Sequence, residues 1–270
     1  MRLGLSTYTY SWSIGVQGKE PNVRMDAGGL LDAAVRQGIQ CIQFADNLPL
    51  HKMSSADLNT LKNKAGNSGI SIEVGTRGLM PENIKEYLDI ADYFNSPILR
   101  AVIDTQDYQP GIEEINSIIS GLLPELKKRR IILAIENHDR LKARDFEDII
   151  KTAGSDWVGI CLDSVNSMGA GEGLEEVFRL LGPHTVNLHI KDFTITRIWH
   201  MMGFVIEGVP AGKGMLPIAG IVGKLNELGR CQSGILELWT PQQASTSDTI
   251  KLENAWAEES IEYLKHFFDN

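Results

Sequence analysis

The strict alternation of short apolar segments with longer amphipathic segments constrains the fold of this chain more than any other feature of its sequence. Eight segments rich in Ile, Val and Leu are each followed by a segment of helical periodicity, and the repeating unit averages about 34 residues. Such alternation predicts a parallel sheet, because each helix returns the chain to the starting edge. Eight units indicate an α/β fold of the (β/α)8 TIM-barrel type. A doubly wound open sheet remains the alternative, although no Gly-x-Gly-x-x-Gly turn follows strand one.

The predicted elements cover the chain from end to end without a linker or a shift in composition, so we expect a single domain over residues 1–270. Strands are predicted over 3–7, 40–45, 70–74, 98–103, 131–136, 158–163, 185–191 and 234–238. Helices are predicted over 26–37, 54–69, from 81 onward, 112–130, 144–153, 174–181, 218–228 and 254–268. Residues 192–214 are predicted to form a long loop, and a loop of this length in a compact domain is usually functional.

Composition excludes several classes of partner. A formal net charge of -9 argues against nucleic acid, because proteins that bind phosphate backbones carry a basic domain or stripe. No apolar run approaches the ~20 residues that a membrane helix needs, so no membrane association is expected. The three cysteines, Cys41, Cys161 and Cys231, are unevenly spaced and predict reduced thiols. Without an apolar signal segment at the N-terminus, we expect a cytoplasmic protein.

Ionisable residues occur at the carboxyl ends of the last four predicted strands, where a (β/α)8 barrel forms its active site. Strand five ends in Glu136, strand six ends in Asp163, strand seven carries His189 and strand eight carries Glu237. A loop hydrogen bond would explain any one of them alone. Together, three carboxylates and one imidazole predict a site for one divalent metal ion, with Mn²⁺ or Mg²⁺ favoured and Co²⁺ or Zn²⁺ as substitutes.

Other polar residues near the predicted mouth are candidate substrate contacts. Lys191 lies two residues after His189, so both side chains point to the same face of strand seven. Tyr8 follows strand one, and Arg77 follows strand three on a glycine-flanked turn. Aromatic packing explains Tyr8 equally well. His138 lies two residues after the carboxylate of strand five and is a further candidate.

The long loop and the inward faces of the early strands add further candidates. The loop contains Arg197 and His200, and its glycines would let the backbone approach a ligand. Cations at the mouth of an acidic protein predict an anionic substrate, a carboxylate or a phosphate. Glu73 and Arg100 are expected to point inward at similar depth, where they could pair with each other. A structural ion pair away from the metal and a substrate contact are both compatible with that position.

These residues resemble the xylose isomerase-like TIM-barrel superfamily, which includes ketose 3-epimerases, hydroxypyruvate isomerase, inosose dehydratase and endonuclease IV. The resemblance rests on Ile135-Glu136-Asn137-His138, Leu162-Asp163, His189-Ile190-Lys191-Asp192, Gly212-Lys213-Gly214 and Leu236-Glu237. It implies that the four strand-end residues bind one divalent metal. It also implies that Glu136 and Glu237 act as an acid–base pair on opposite faces of an enediolate.

The sequence departs from the ketose epimerases at two positions that contact substrate in that family. Lys142 stands where they have a second glutamate, and Asn166 stands where they have a histidine. Endonuclease IV is excluded because the chain lacks several of its metal-binding histidines and aspartates. The segment from Lys191 to Gly214 is more similar to a branch of sugar isomerases and epimerases that includes 3-oxo-isoapionate decarboxylase.

We therefore predict a metal-dependent sugar isomerase or epimerase that acts on a small sugar or sugar acid through an enediolate intermediate. The alternative is a β-keto sugar-acid decarboxylase, in which Lys191 or Arg197 would hold the carboxylate or help to protonate the carbon. A sugar-binding protein without catalysis is a third reading, and the four intact ligands argue against it. The sequence leaves a homo-oligomer open, since Trp199 or Trp256 could lie in an interface, but ordinary packing explains both equally well.

Overall fold

The computed structural model of the protein describes residues 1–268 and contains a closed eight-stranded parallel barrel, which confirms the predicted fold class. Around the barrel the strands follow the order β1-β10-β7-β6-β5-β4-β3-β2. The barrel strands are β1 (Arg2–Ser6), β2 (Cys41–Phe44), β3 (Ser71–Arg77), β4 (Ile98–Val102), β5 (Ile132–Glu136), β6 (Val158–Asp163), β7 (Thr185–Ile190) and β10 (Ser233–Leu236).

Helices connect these strands on the outside of the barrel. They are α1 (Ser11–Ile14), α2 (Ala27–Arg36), α3 (Ser55–Asn67), α4 (Pro81–Phe94), α5 (Ile112–Arg129), α6 (Ala143–Ala153), α7 (Leu174–Leu181), α8 (Ile218–Leu228) and α9 (Thr246–Leu264). Within residues 1–268, no helix is both long and apolar enough to cross a bilayer.

Local sequence signals set the ends of most helices. The Ser54 hydroxyl accepts a hydrogen bond from the backbone N–H of Asp57 at 3.2 Å and so caps α3. Pro81 occupies the first turn of α4, where no backbone N–H is required, and Asn95 ends that helix in the left-handed region at φ 55°. The last helix begins eight residues earlier than predicted, because Ser245 caps it by accepting from the backbone N–H of Asp248.

The prediction of a structureless loop over residues 192–214 is wrong. Two strands, β8 (Phe193–Arg197) and β9 (Phe204–Gly208), pair antiparallel and form a separate two-stranded sheet. The alternation of apolar and polar residues in Phe193–Arg197 is typical of a strand, but the glycines of the segment favoured a loop in the prediction. The hairpin tip is exposed, and Trp199 is 91% accessible. Trp256, in contrast, packs against the hydrophobic core.

Small and apolar side chains fill part of the barrel interior below the carboxyl ends of the strands. Ile98, Ala134, Cys161 and Val186 form a fully buried cluster there. Gly159 has no room for a side chain, since an added Cβ would lie 2.7 Å from Val186 Cγ1. This packed floor leaves space for chemistry only at the carboxyl end of the barrel.

Candidate metal centre

Four side chains from the last four barrel strands converge at the carboxyl end of the barrel. Glu136 ends β5, Asp163 ends β6, His189 lies in β7 and Glu237 directly follows β10. The Nδ1 atom of His189 lies 3.4 Å from Glu136 Oε2, 3.4 Å from Glu237 Oε1 and 3.9 Å from Asp163 Oδ2. All four residues are buried. The structure thus brings together the residues that the sequence predicts as metal ligands.

His189 allows a test of whether this cluster fits a metal ion. Its Nε2 atom lies 2.7 Å from Gln43 Oε1, whereas its Nδ1 atom is buried and has no hydrogen-bond partner. Buried polar atoms are nearly always paired, so an orphaned nitrogen that faces three carboxylates calls for an explanation. Ligand atoms of Asp163, His189 and Glu237 lie within 4.8 Å of one another. Carboxylate oxygens and one imidazole suit Mn²⁺, Mg²⁺, Co²⁺ or Zn²⁺, so the residues fit a divalent ion.

Cys161 lies beside the cluster as a core residue, the position that the sequence analysis assigned to it. Its Sγ atom lies 3.0 Å from Asn187 Oδ1 and 4.0 Å from Glu136 Oε2. Burial, reinforced by the charge of Glu136, raises the pKa of the Cys161 thiol well above its ordinary value. The Cys161 sulfur lies within 4.8 Å of ligand atoms of Glu136 and His189 and so borders the candidate metal site.

Lys191 directly follows β7, and its ammonium lies among the candidate ligands. The Nζ atom is 2.7 Å from Asp163 Oδ2 and 2.9 Å from Glu237 Oε2, and the side chain is 12% exposed. Burial lowers the pKa of Lys191, but the Asp163 and Glu237 carboxylates outweigh burial and raise it above its ordinary value. For the Glu237 carboxyl, burial raises the pKa. The nearby His189 and Lys191 outweigh burial and lower this pKa to about 2. The site therefore holds a charged ammonium beside ionised carboxylates.

Arg100 occupies a different place from the one expected. The suggested pair with Glu73 does not form, because the register of β3 and β4 sets Arg100 opposite Gly75, two residues closer to the mouth than Glu73. The Nε atom of Arg100 donates instead to Glu136 Oε2, and Nη1 lies 3.3 Å from Asp46 Oδ1. Burial raises the pKa of Glu136, but Arg100 outweighs it, and the net pKa is lowered. Arg100 thus belongs to the metal side of the barrel.

Tyr8 and Arg77 lie together at the mouth, joined by an aspartate that the sequence analysis missed. The Tyr8 hydroxyl donates to Asp46 Oδ2 at 3.2 Å, and Arg77 Nε donates to the same oxygen at 3.0 Å. Burial, followed by the charge of Asp46, raises the pKa of Tyr8 above its ordinary value. Asp46 comes directly after the apolar segment of strand two, and this strand-end position was the signal that could have identified it.

A cleft of about 230 Å³ opens between the residues that follow β5 and β6 and the hairpin. Its lining includes His138, Asn166, Ile206 of the hairpin and Trp239. Asn166 Nδ2 donates to Glu136 Oε1 at 2.8 Å, so the cleft reaches the ligand cluster. His138 and Asn166, two of the predicted substrate contacts, therefore line a cleft that borders the ligand cluster.

Three predicted contact residues lie elsewhere. Glu73 is fully buried below the cluster, where its Oε2 accepts from Gln43 Nε2 at 3.1 Å. Arg197 and His200 are exposed on the hairpin. The Arg197 guanidinium lies 4.5 Å from the centroid of the Phe204 ring and donates to a carbonyl at the hairpin tip. The register of β3 in the barrel accounts for the depth of Glu73. The hairpin, which was not predicted, accounts for the exposed positions of Arg197 and His200.

Gly212 and Gly214, at the end of the long segment, have a structural role. The Asp192 carboxylate accepts hydrogen bonds from the backbone N–H groups of Gly212 and Gly214 at 2.8 and 2.9 Å. Gly212 has φ +87° and packs against the Tyr263 ring, where a Cβ would collide. Lys213 points away and lies 3.0 Å from Glu259.

The chain belongs to the xylose isomerase-like TIM barrel family, whose model matches residues 31–267. In sequence it is similar to 3-oxo-isoapionate decarboxylase of Pectobacterium atrosepticum, with 31% identity over 264 residues that cover 98% of this chain and 95% of the relative. This match confirms the superfamily and the branch that the residue motifs resemble.

Solved structures of the same fold include enzymes that act on sugars. The chain is similar to D-psicose 3-epimerase with D-tagatose from Clostridium cellulolyticum H10, with a TM-score of 0.73 and 14% identity over 100% of both chains. It is also similar to a xylose isomerase-like TIM barrel protein from Mycobacterium smegmatis in complex with magnesium, with a TM-score of 0.70, 15% identity and 97% coverage of both chains. At such identities the likeness shows the fold alone.

Proposed function

We propose that this chain is a divalent-metal-dependent enzyme that decarboxylates a 3-oxo sugar acid. The observation that carries the proposal is the Lys191 ammonium, which lies 2.7 and 2.9 Å from two candidate metal ligands and so beside any substrate bound to the ion. The similarity to 3-oxo-isoapionate decarboxylase along nearly the whole chain supports the same reaction.

Glu136, Asp163, His189 and Glu237 would hold the ion. When bound there, Mn²⁺ or Mg²⁺ would supply a Lewis acid for the negative charge that develops on the substrate oxygens. The four residues would each offer one ligand atom, which leaves coordination positions for a carbonyl and a neighbouring hydroxyl of the substrate.

The charge of the site suits a substrate with a single carboxylate. Four carboxylates (Asp46, Glu136, Asp163 and Glu237) face three cations (Arg77, Arg100 and Lys191) in the connected contacts at the mouth. These groups sum to a net charge of −1, and a divalent ion would change it to +1, an excess of one positive charge. An excess of that sign favours a monoanion over a neutral sugar.

The reaction needs one proton, which Lys191 is placed to deliver. The bond between the substrate carbon and its carboxylate breaks, CO2 departs, and the bonding electron pair passes into an enediolate. The carbon then takes a proton from the Lys191 ammonium, and solvent restores that proton. The carboxylate is thereby replaced by hydrogen with no net oxidation or reduction.

Epimerisation of a ketose is the second candidate, because Glu136 and Glu237 flank His189 with one oxygen each at 3.4 Å from Nδ1. Two carboxylates on opposite sides could exchange protons with opposite faces of an enediolate. However, Glu136 Oε2 is held by Arg100 and its Oε1 accepts from Asn166. The Arg100 charge also lowers the pKa of Glu136 against the effect of burial, which makes this carboxylate a weak proton acceptor and favours the decarboxylase.

Substrate screening distinguishes the two reactions. Purified protein with Mn²⁺ is incubated with 3-oxo sugar acids and with ketoses of matched length, while CO2 release and epimer formation are followed. We expect CO2 from an oxo acid and no epimer from any ketose. Epimer formation without CO2 release would overturn the decarboxylase in favour of the epimerase.

The Lys191→Met variant tests the proton donor. We expect kcat for CO2 release to fall about 10²-fold or more, since general acids typically contribute 10²–10⁴-fold. Lys213→Met, an exposed lysine outside the site, is the matched control and should keep the wild-type kcat. Equal activity of the two variants would exclude Lys191 from the chemical step.

A further inference from the structure

A chain of buried hydrogen bonds connects β2 to His189 from below the metal centre. Gln43 and His189 are fully buried, and Gln43 Oε1 lies 2.7 Å from His189 Nε2. We propose that Gln43 is the positioning residue that fixes the tautomer of His189, so that Nε2 carries the proton and Nδ1 is the nitrogen that binds the metal.

The orientation of the Gln43 amide follows from its other contacts. Its Nε2 atom lies 3.1 Å from Glu73 Oε2 and 3.0 Å from Asn187 Oδ1. A carboxylate offers only acceptor atoms, so the amide NH2 group must face Glu73. The amide oxygen is then the atom that faces His189. A flipped amide would set its oxygen against two acceptors and lose both hydrogen bonds.

Asn187 is held in place by a further contact. Its Nδ2 atom donates to Ser233 Oγ at 2.8 Å and lies 3.5 Å from Glu73 Oε2 and the Ser233 carbonyl, which only accept, and this leaves Oδ1 to accept from Gln43. Arg2 Nη2 lies 3.5 Å from the second oxygen of Glu73 and supplies the opposite charge. Each donor and acceptor along this chain therefore has one assignment, from Glu73 through Gln43 to the imidazole.

The consequence for His189 is a defined proton position. A ring nitrogen that faces the Gln43 oxygen must donate, so the proton lies on Nε2. The Nδ1 lone pair then points at Glu136, Asp163 and Glu237, and Nδ1 is the orphaned buried atom of the cluster. Partners of this kind fix the ring orientation and basicity of metal-binding histidines. The inference rests on the proposed metal site.

The affinity for Mn²⁺ tests this role. In the Gln43→Leu variant, we expect the dissociation constant for Mn²⁺, measured by calorimetry, to rise about 10- to 100-fold, the usual effect of removing such a partner. Thr185→Val removes a buried hydrogen bond to the Leu181 carbonyl at the start of β7, outside this chain of contacts, and is the matched control; it should bind Mn²⁺ within about 3-fold of wild type. Unchanged affinity in Gln43→Leu would overturn the inference. If Gln43→Leu does not fold, Gln43→Met is measured in its place, with the same expected rise in the dissociation constant.

The proton position is observable directly in the wild-type protein. With diamagnetic Zn²⁺ bound and histidine labelled with nitrogen-15, the nitrogen–proton correlations of His189 should show the proton on Nε2. The Nε2 proton should exchange with solvent faster in Gln43→Leu, which lacks the acceptor at 2.7 Å, whereas a role of Gln43 in packing alone would leave the exchange rate unchanged. A proton on Nδ1 would overturn the proposal.

Failure of the proposed reaction is distinguishable from failure of this inference. Wild-type protein that takes up neither Mn²⁺ nor Zn²⁺ overturns the metal site and the role of Gln43 together. Protein that binds Mn²⁺, keeps the proton on Nε2 and yet releases no CO2 overturns only the decarboxylase and supports the assignment of Gln43.

Discussion

Glu253, a buried carboxylate outside the candidate site, ties the last helix to the segment that follows β1. Its oxygens accept from Trp12 N at 2.7 Å, Ser13 N at 2.9 Å and Ser13 Oγ at 2.7 Å. Burial raises the pKa of Glu253 to about 6, and these hydrogen bonds lower it only in part. The segment it holds includes Tyr8, so this contact supports the mouth of the barrel.

The raised pKa of Glu253 predicts a pH-dependent contribution to stability. Between the ordinary pKa of 4.5 and about 6, the folded protein binds more protons at this group than the unfolded chain does. Its contribution is therefore fully present below pH 4.5 and is lost as the pH rises through 6. The free energy of unfolding should change by roughly 2 kcal/mol for this shift.

Urea unfolding of Glu253→Gln at pH 4.5 and pH 7 measures the effect. Since glutamine does not titrate, wild type should lose roughly 2 kcal/mol relative to the variant between these pH values. Glu258→Gln, an exposed position on the same helix, controls for the lost surface charge. A pH-independent difference between wild type and Glu253→Gln would show that Glu253 does not titrate in this range.

At the scale of elements, Asp192 organises the turn that leads from the hairpin to α8. Its carboxylate accepts from four backbone N–H groups, those of Phe193, Gly212, Gly214 and Leu216, at 2.8 to 3.0 Å. In this irregular segment, these bonds satisfy backbone N–H groups that would be paired with carbonyls in a helix or a sheet. Asp192, the last residue of the family motif, thus has a structural role beside the proposed catalytic role of Lys191.

Asp192→Asn should destabilise the protein, because the amide NH2 group would face two backbone donors. We expect a loss of about 2–4 kcal/mol in the free energy of unfolding, from hydrogen bonds to a charged group and unsatisfied N–H groups. Urea denaturation measures the loss, and amide hydrogen exchange at residues 212–216 should accelerate. The same change at the exposed Asp107 is the control. Equal stability of both variants would contradict this role.

For the whole molecule, metal binding should couple to folding. The four candidate ligands come from four strands, so the complete site exists only in the closed barrel. Mn²⁺ at 100 times its dissociation constant should add about 2.7 kcal/mol to the free energy of unfolding. For a chain of this size that is a rise in Tm of about 5–10 °C.

Thermal unfolding with and without Mn²⁺ checks this coupling. His189→Ala removes the one nitrogen ligand and should lose most of the shift, while a chelator should return the wild-type Tm to its metal-free value. A shift of the same size in His189→Ala would place the bound Mn²⁺ elsewhere on the protein.

The sequence by itself determined the barrel and the identity of its candidate ligands. Strand–helix alternation is a local pattern, and the carboxyl ends of parallel strands meet at one end of a barrel. Glu136, Asp163, His189 and Glu237 could therefore be selected before any contact was known. The hairpin of residues 193–208 also has a local pattern of strand residues, but the glycines in and after this segment led to the prediction of a loop.

Only the tertiary structure decided which groups surround those ligands. Gln43 contacts His189 across 146 residues, and Ser6 contacts Glu237 across 231. Arg100 lies on Glu136 because the register between strands, and not their order, sets the depth of each inward side chain. Register depends on how the whole sheet closes, and a shift of one residue turns a side chain to the other face. No repeating pattern of residues within one strand specifies this register.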